Sequence, residues 1–229
     1  MVGIERAREP VVTIDGPAGA GKSTVARLLA ARLGYRLLDT GGMYRAVVWS
    51  IVAAGLADGD EAAIQRHLES VKVTLDGDRF VVNGRDVSGE IRTPEIGQLT
   101  SQLSALGAVR AAVTPLQRSV AAPGGVVLEG RDTGTVVCPD ADVKFFLDAS
   151  LETRARRRQA ELAAAGRTLP LDAVRDELVV RDAQDRTRAL APLRKAHDAI
   201  EIDTSDRTTD EVVAVMLETV EKLRCCTRS

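Results

Sequence analysis

Gly16, Gly21, Lys22 and Ser23 stand in the order G-x-x-x-x-G-K-[ST] within "IDGPAGAGKST", residues 14–24. That spacing suits the holding of phosphate groups. Glycines let the backbone curl until successive N–H groups point inward, and a following helix adds its positive N-terminal end. Lys22 supplies a point charge to the β and γ phosphates of a nucleoside triphosphate, and the Ser23 hydroxyl suits Mg²⁺. The expected donor loop is therefore Gly16, Pro17, Ala18, Gly19, Ala20, Gly21, Lys22, Ser23 and Thr24. The competing reading, a glycine-rich turn without ligand, loses weight because a β-branched run precedes the loop and a helical pattern follows it.

Such a loop needs a strand behind it and a helix ahead. "VVTID" (11–15) predicts the strand, and "STVARLLAARLG" predicts the helix, with Val25, Leu28, Leu29 and Leu33 near helical spacing. "RLLDT" (36–40) predicts a second strand. "GGMYRAVVWSIVAAGL" puts Ala46, Val47, Ser50 and Ile51 on one helical face, with Arg45 beginning the helix and Gly55 as its stop. Between 70 and 88, apolar and polar residues alternate around Asp76-Gly77 and Asn83-Gly84, the signature of a three-stranded antiparallel meander. This is a candidate inserted subdomain, continued by the helical stretch "TPEIGQLTSQLSALGAVRAAVTPLQRSVAA". "GGVVLEG" (124–130), "DVKFFLD" (142–148) and "AIEIDTS" (199–205) complete five strand candidates. With crossover helices these predict an α/β fold, a five-stranded parallel sheet covered on both faces.

With 229 residues, 45% apolar and 28% charged, the chain has the composition of a packed globular protein. Thirty-one basic against 33 acidic residues give a net charge of -2, and aromatics are only 3%, which argues against a polynucleotide partner. No apolar run approaches a membrane span, and "MVGIERAREP" lacks the apolar centre of a secretory signal, so a cytoplasmic location away from membranes is expected. Cys138, Cys225 and Cys226 fit neither a disulfide framework nor zinc-ligand spacing. The first ten residues and the tail after about 223 have no assigned role and are expected to be mobile and exposed.

A phosphorylated acceptor calls for arginines, whose planar guanidinium pairs with phosphate oxygens in a bidentate way. Arg45 and Arg131 sit at strand or helix ends, where open α/β sheets bind ligands. In "RDAQDRTR", Arg181, Asp185 and Arg188 fall on one helical face. From spacing alone, a solvated, salt-bridged face describes that stretch better than a binding face. "ETRARRRQAEL" (152–162) is equally open between a soluble helix and a lid. Asp39 with Gly42 superficially matches the D-x-x-G of GTPases, but no N-K-x-D segment exists to read guanine.

Several segments in order resemble one family, the bacterial cytidylate kinases: "IDGPAGAGKST", "LLDTGGMYR", "DVSGEIRTPEI", "SQL", "EGRDTGTVVCPDA", "VKFFLDAS" and "RDAQDRTRALAPL". They run from about residue 11 to about 205; the P-loop is shared by many kinases, whereas "DVSGEIR" and "GRDTGTVV" are much more specific. The resemblance implies one P-loop kinase domain over 1–229, with a core of about 10–65 and 124–225. It implies an NMP-binding insert of about 66–123 containing the meander, and a short helical lid of about 152–168. The implied activity is transfer of the γ-phosphoryl group of ATP, with Mg²⁺, to CMP or dCMP, by a monomer.

Residue by residue, the resemblance puts Thr40, Tyr44 and Arg45 against the acceptor nucleotide, and Ser101, Arg110 and Asp132 on its base. Arg181 and Asp185 are the implied sugar-binding pair, and Arg131 and Arg188 the implied phosphate clamps. With Lys22, Arg131 and Arg188, the lid arginines Arg154 and Arg158 complete the expected catalytic set. Glu129 stands where some relatives carry Asp, and Thr40 where some carry Ser, both preserving chemical type. Glu129 is open between holding a Mg²⁺-bound water and serving as a capping or ion-paired carboxylate. Other readings remain: a P-loop kinase for UMP, AMP or a non-nucleotide acceptor, a nucleotide-dependent switch, and an RNA-binding module.

Overall fold

A computed structural model of the chain describes residues 8–227. Five strands form one parallel sheet: β1 (Val11–Asp15), β2 (Arg36–Asp39), β6 (Val126–Gly130), β7 (Val143–Asp148) and β8 (Ile200–Asp203), in the order β2-β6-β1-β7-β8. β1 is buried along its whole length, and β6 and β7 along all but their last residue. Strands covered on both faces read as unbroken apolar runs, and that is why "VVTID", "VVLEG" and "VKFFLD" are recognisable. β1 pairs with β6 and β7, aligning Asp15 with Gly130 and Ile14 with Glu129. The carboxyl ends of the three central strands therefore open on the same edge of the sheet, the usual ligand edge of such folds.

Helix α1 (Lys22–Leu33) starts directly from the glycine-rich loop and stops at Gly34, a left-handed residue whose N–H bonds to Ala30 and Ala31. Its buried Val25, Ala26, Leu29 and Ala30 join Val12, Ile14, Phe145 and Leu147 of the sheet in the main core. Val212, Val213, Met216 and Val220 of α8 (Thr209–Thr227) close the same core and pack on α1. A second cluster, Ala18, Ala155, Leu162, Val174 and Leu178, joins the donor loop to the paired helices α6 (Leu151–Ala164) and α7 (Leu171–Thr187).

The chain divides into two compact units. One comprises the chain up to Leu38, Val120–Thr187 and the chain from Pro192 on; the other comprises Asp39–Ser119 with Arg188–Ala191. The second unit holds α2 (Thr40–Ala53), α3 (Glu61–Leu68), the hairpin strands β3 (Val73–Asp76), β4 (Arg79–Val82) and β5 (Arg85–Asp86), α4 (Pro94–Leu103) and α5 (Gly107–Ala121). β3, β4 and β5 form the expected antiparallel meander. The unit reaches back to Asp39, further than the insert expected from residue 66, because α2 packs directly on the meander. Gly42 permits this: a Cβ there would lie 2.2 Å from the Phe80 ring. Any side chain at 42 would push the buried Phe80, and β4 with it, off the helix.

Two local expectations need correction. Arg45 lies in the second turn of α2, because Asp39 accepts the Gly42 N–H and so caps a helix that begins at Thr40. The helical stretch expected after the meander is present as two helices, separated over 104–106; α4 starts on a Thr93 cap followed by Pro94. The tail is not a loose end where it is described, since α8 runs to Thr227. Arg224 of that helix pairs with Glu9 at 3.1 Å, and the Tyr35 hydroxyl donates to Glu9 at 2.8 Å. The rest of the expectation for the termini lies outside the described residues, and nothing is described of the Cys226 side chain. Cys138 is half-buried and Cys225 exposed. Among the described residues no helix is long and apolar enough to cross a membrane.

Candidate active site

In the first unit, the donor loop springs from the end of β1. Gly16 has φ +149°, and a Cβ there would lie 2.0 Å from the Leu147 carbonyl oxygen, so only glycine lets β1 turn so close to β7. Lys22, the first residue of α1, is 6% exposed and donates to the Pro17 carbonyl at 2.6 Å. Burial pushes its ammonium pKa down to about 7, helped by the positive charges of Arg131 and Arg181 and opposed by Glu129 and Asp185. A lysine so strained by desolvation and like charge is a receptor for anions, because a bound phosphate restores what burial removed.

Ser23 donates to Glu129 at 2.7 Å across the mouth of the loop. A hydroxyl oxygen and a carboxylate oxygen are hard ligands, which suits Mg²⁺ shared mainly with phosphates and water. Among the described residues no cluster of three or more His, Cys, Asp or Glu could hold a metal without such help.

Arg131 follows β6 directly. Its Nε donates to Asp185 at 2.8 Å and its Nη1 to the Gly130 carbonyl at 3.3 Å. Asp185 thus binds Arg131 as well as standing one helical turn from Arg181 on α7. Asp132 is 5% exposed and opens a π-helical turn over Thr133–Val137. Asp15, at the end of β1, accepts from Thr133 and Gly134 in that turn. Burial raises the Asp15 carboxyl above the ordinary range, opposed by those bonds from Gly134 and Thr133 and reinforced by Asp132.

The two expected lid arginines, Arg154 and Arg158, lie on α6. Arg154 is 5% exposed, and its guanidinium is engaged by the Ala149 carbonyl at 3.0 Å, the Ala18 carbonyl at 3.3 Å and the Asp182 carboxylate at 2.7 Å. Loop N–H groups face a phosphate and loop carbonyls face away, so Arg154 braces the donor loop from behind. Arg158 pairs with Glu161 at 3.0 Å on the exposed side of α6. Arg157, which the sequence pattern does not single out, donates to the Thr204 hydroxyl at 2.9 Å and carbonyl at 2.6 Å. A Cβ at Gly21 would lie 3.9 Å from Arg157 Nη1, so this guanidinium borders the donor loop. Its spacing of three from the loop-bracing Arg154 is the available signal, hidden in a run of arginines.

In the second unit, Thr40 and Tyr44 are buried on α2, and Arg45 pairs with Asp39 at 2.7 Å. Ser101 on α4 donates to the Gly97 carbonyl at 3.4 Å. Arg110 on α5 is 7% exposed, stands over the Tyr44 ring at 5.5 Å, and donates to the Ser104 carbonyl beside the α4 C-terminus at 3.3 Å. Arg188 belongs to this unit and lies one residue beyond α7, not on its face; its Nε donates to the Ala191 carbonyl at 2.6 Å.

These parts, a lysine-bearing phosphate loop, a hydroxyl–carboxylate pair and the half-buried Arg131 and Arg181 beside the lysine, suit phosphoryl transfer, in which positioning and charge neutralisation do most of the work. Comparison with known proteins agrees. A family model described as cytidylate kinase matches residues 12–222. The chain is similar to a cytidylate kinase of Geobacter sp. (strain M21), 51% identical over 93% of both chains. It is also similar to one of Carboxydothermus hydrogenoformans, 49% identical over 91% of this chain and 96% of that one. A crystal structure of an uncharacterized protein from Eubacterium ventriosum, 12% identical, superposes with a TM-score of 0.50 over 93% of this chain and 99% of that one, a likeness of fold alone. Half the residues shared over nearly the full length, with the loop, the lysine and the "GRD" turn all in place, puts the chain in the cytidylate kinase family.

Proposed function

We propose that the chain transfers the γ-phosphoryl group of ATP to CMP or dCMP, giving CDP or dCDP. The observation that carries this reading is the convergence of Lys22, the Ser23–Glu129 pair and Arg131 at the carboxyl ends of adjacent strands, in a chain of this family.

The acceptor phosphate needs no strong base, since the second pKa of a phosphate monoester is about 6 and its oxygen is already largely ionised at neutral pH. Lys22 takes the charge of the β and γ phosphates, and Arg131 and Arg188 that of the transferred group and the acceptor phosphate. Ser23 and Glu129 would hold Mg²⁺, Glu129 through water, and the ion would supply charge neutralisation and orientation of the donor phosphates. Thr40, Tyr44 and Arg45 hold the acceptor nucleotide, and Asp185 its sugar with Arg181. On the base, Asp132 and Ser101 accept from the cytosine 4-amino group, while Arg110 donates to N3 and O2. Uracil presents a carbonyl where cytosine presents the amine, leaving Asp132 opposite another acceptor. Residues of about 152–168, α6 and the turn after it, form the lid, whose closure excludes water as a competing acceptor. The enzyme acts as a monomer.

The test is a coupled ADP-release assay with ATP, Mg²⁺ and CMP, dCMP, UMP, AMP, GMP or shikimate. CMP and dCMP are expected to exceed UMP in kcat/KM by about 100-fold, a typical value for a buried polar mismatch. A preference for any other acceptor would overturn the assignment of Ser101, Arg110 and Asp132.

The depressed Lys22 pKa makes donor binding pH-dependent. Free protein loses the Lys22 proton above about 7, whereas bound triphosphate holds it on. ATP binding at pH 8 therefore takes up a proton, and Kd rises by up to about tenfold per pH unit above that value. Calorimetric titrations in buffers of different ionisation enthalpy read the uptake, and Lys22→Arg, always charged, should abolish it. The same group affects folding with a definite sign. An unfolded lysine keeps its proton up to about 10.5, so the unfolded chain binds more protons between about 7 and there, and this group favours the ligand-free fold more as pH rises through that window.

A further inference from the structure

Asp15 is 4% exposed, yet it is not a phosphate ligand by motif, and among the described residues it forms no salt bridge. Its Oδ1 accepts from the Thr133 N–H and from the Thr133 hydroxyl, each at 2.8 Å, and its Oδ2 accepts from the Gly134 N–H at 2.8 Å. These are the first N–H groups of the π-helical turn, donors that such a turn leaves without internal partners. The side chain of Asp132, at the cap position, does not bond to them. Asp15 does so from another strand.

The chain is thus held on both sides of Arg131 and Asp132. On one side Gly130 is aligned with Asp15 in the parallel ladder of β1 and β6. On the other, the Asp15 carboxylate grips Thr133 and Gly134. The seat is tight: a Cβ on Gly134 would lie 2.8 Å from Thr13 Oγ1, 3.3 Å from Lys144 Cδ and 3.4 Å from Asp15 Oδ2. The residue that carries this grip is also the one immediately before the donor loop.

We infer that Asp15 is a positioning residue for acceptor recognition: through Thr133 and Gly134 it sets where Arg131 and Asp132 point, and it couples that turn to the strand that carries the phosphate loop. The inference rests on the acceptor roles of Arg131 and Asp132 proposed above. Asp15→Asn tests it, because the amide still accepts from Thr133 but turns an NH₂ toward the Gly134 N–H.

The readout is the ratio of kcat/KM between the acceptor that wild type prefers and its runner-up, with KM for ATP measured in parallel. Asp15→Asn is expected to lower that ratio at least about tenfold, the effect of losing one charge-assisted bond, while KM for ATP stays within about threefold. Thr133→Val, which removes one of the bonds, should act in the same direction more weakly, and serves if the Asp15→Asn variant does not fold. An unchanged ratio in a folded variant, even one with a lowered melting temperature, would overturn the inference and leave a purely structural carboxylate. A wild type that prefers an acceptor other than CMP or dCMP would overturn the function proposed above, and the same ratio would still test the grip.

Discussion

Lys22→Ala is expected to lower kcat by about 100- to 1,000-fold, as the loss of one preorganised charge from a transition state commonly does, while KM for CMP changes less than about threefold. The ammonium is buried beside Arg131 and Arg181 at the root of the donor loop, and nothing in the loop backbone supplies a full positive charge in its place. A trivial unfolding effect is separable, because Lys22 is held charged only against desolvation and like charge. Its removal relieves both, so the alanine variant should melt no lower than wild type at pH 7. Steady-state kinetics beside a thermal melt reads the two effects. Turnover near wild type would mean that arginines alone neutralise the transferred phosphoryl group.

Asp132→Asn should change which base is accepted more than it changes turnover. With an amide in place of the carboxylate, the side chain can donate to a uracil carbonyl as well as accept from a cytosine amine. The expected result is a loss of about 100-fold in kcat/KM for CMP and a preference over UMP reduced to within about tenfold, from competition kinetics with both acceptors. Asp132 is almost wholly buried, so no bulk water is at hand to satisfy the mismatch. Equal losses on CMP and UMP would show that Asp132 orders the site without reading the base.

Elements whose pattern is local are legible in the chain itself. The five strands announce themselves as apolar runs, and the two turn dipeptides Asp76-Gly77 and Asn83-Gly84 mark the meander, whose strands pair as expected. Helix ends are less legible. Thr93 and Pro94 start α4, but the break over 104–106 carries no glycine or proline, and it is seen only where α4 and α5 separate. The arginine-rich helix is legible only as a helix: four arginines between 154 and 158 carry the same charge, and packing alone assigns Arg154 to the loop carbonyl, Arg157 to Thr204 and Arg158 to Glu161.

The sequence by itself determined the chemistry of this protein: a phosphate loop whose spacing is contiguous, a lysine and hydroxyl within it, and enough ordered motif matches to name the family. Those signals need no tertiary context, because the phosphate loop and each apolar strand run are written in consecutive residues. Tertiary structure decided the order β2-β6-β1-β7-β8, the division into two units, the burial that depresses the Lys22 pKa, and the grip of Asp15 on Thr133 and Gly134. Each of these joins residues far apart in the chain, such as Asp15 to Gly134 or Lys22 to Arg181. Desolvation and hydrogen bonding act through space, so spacing along a sequence cannot report them.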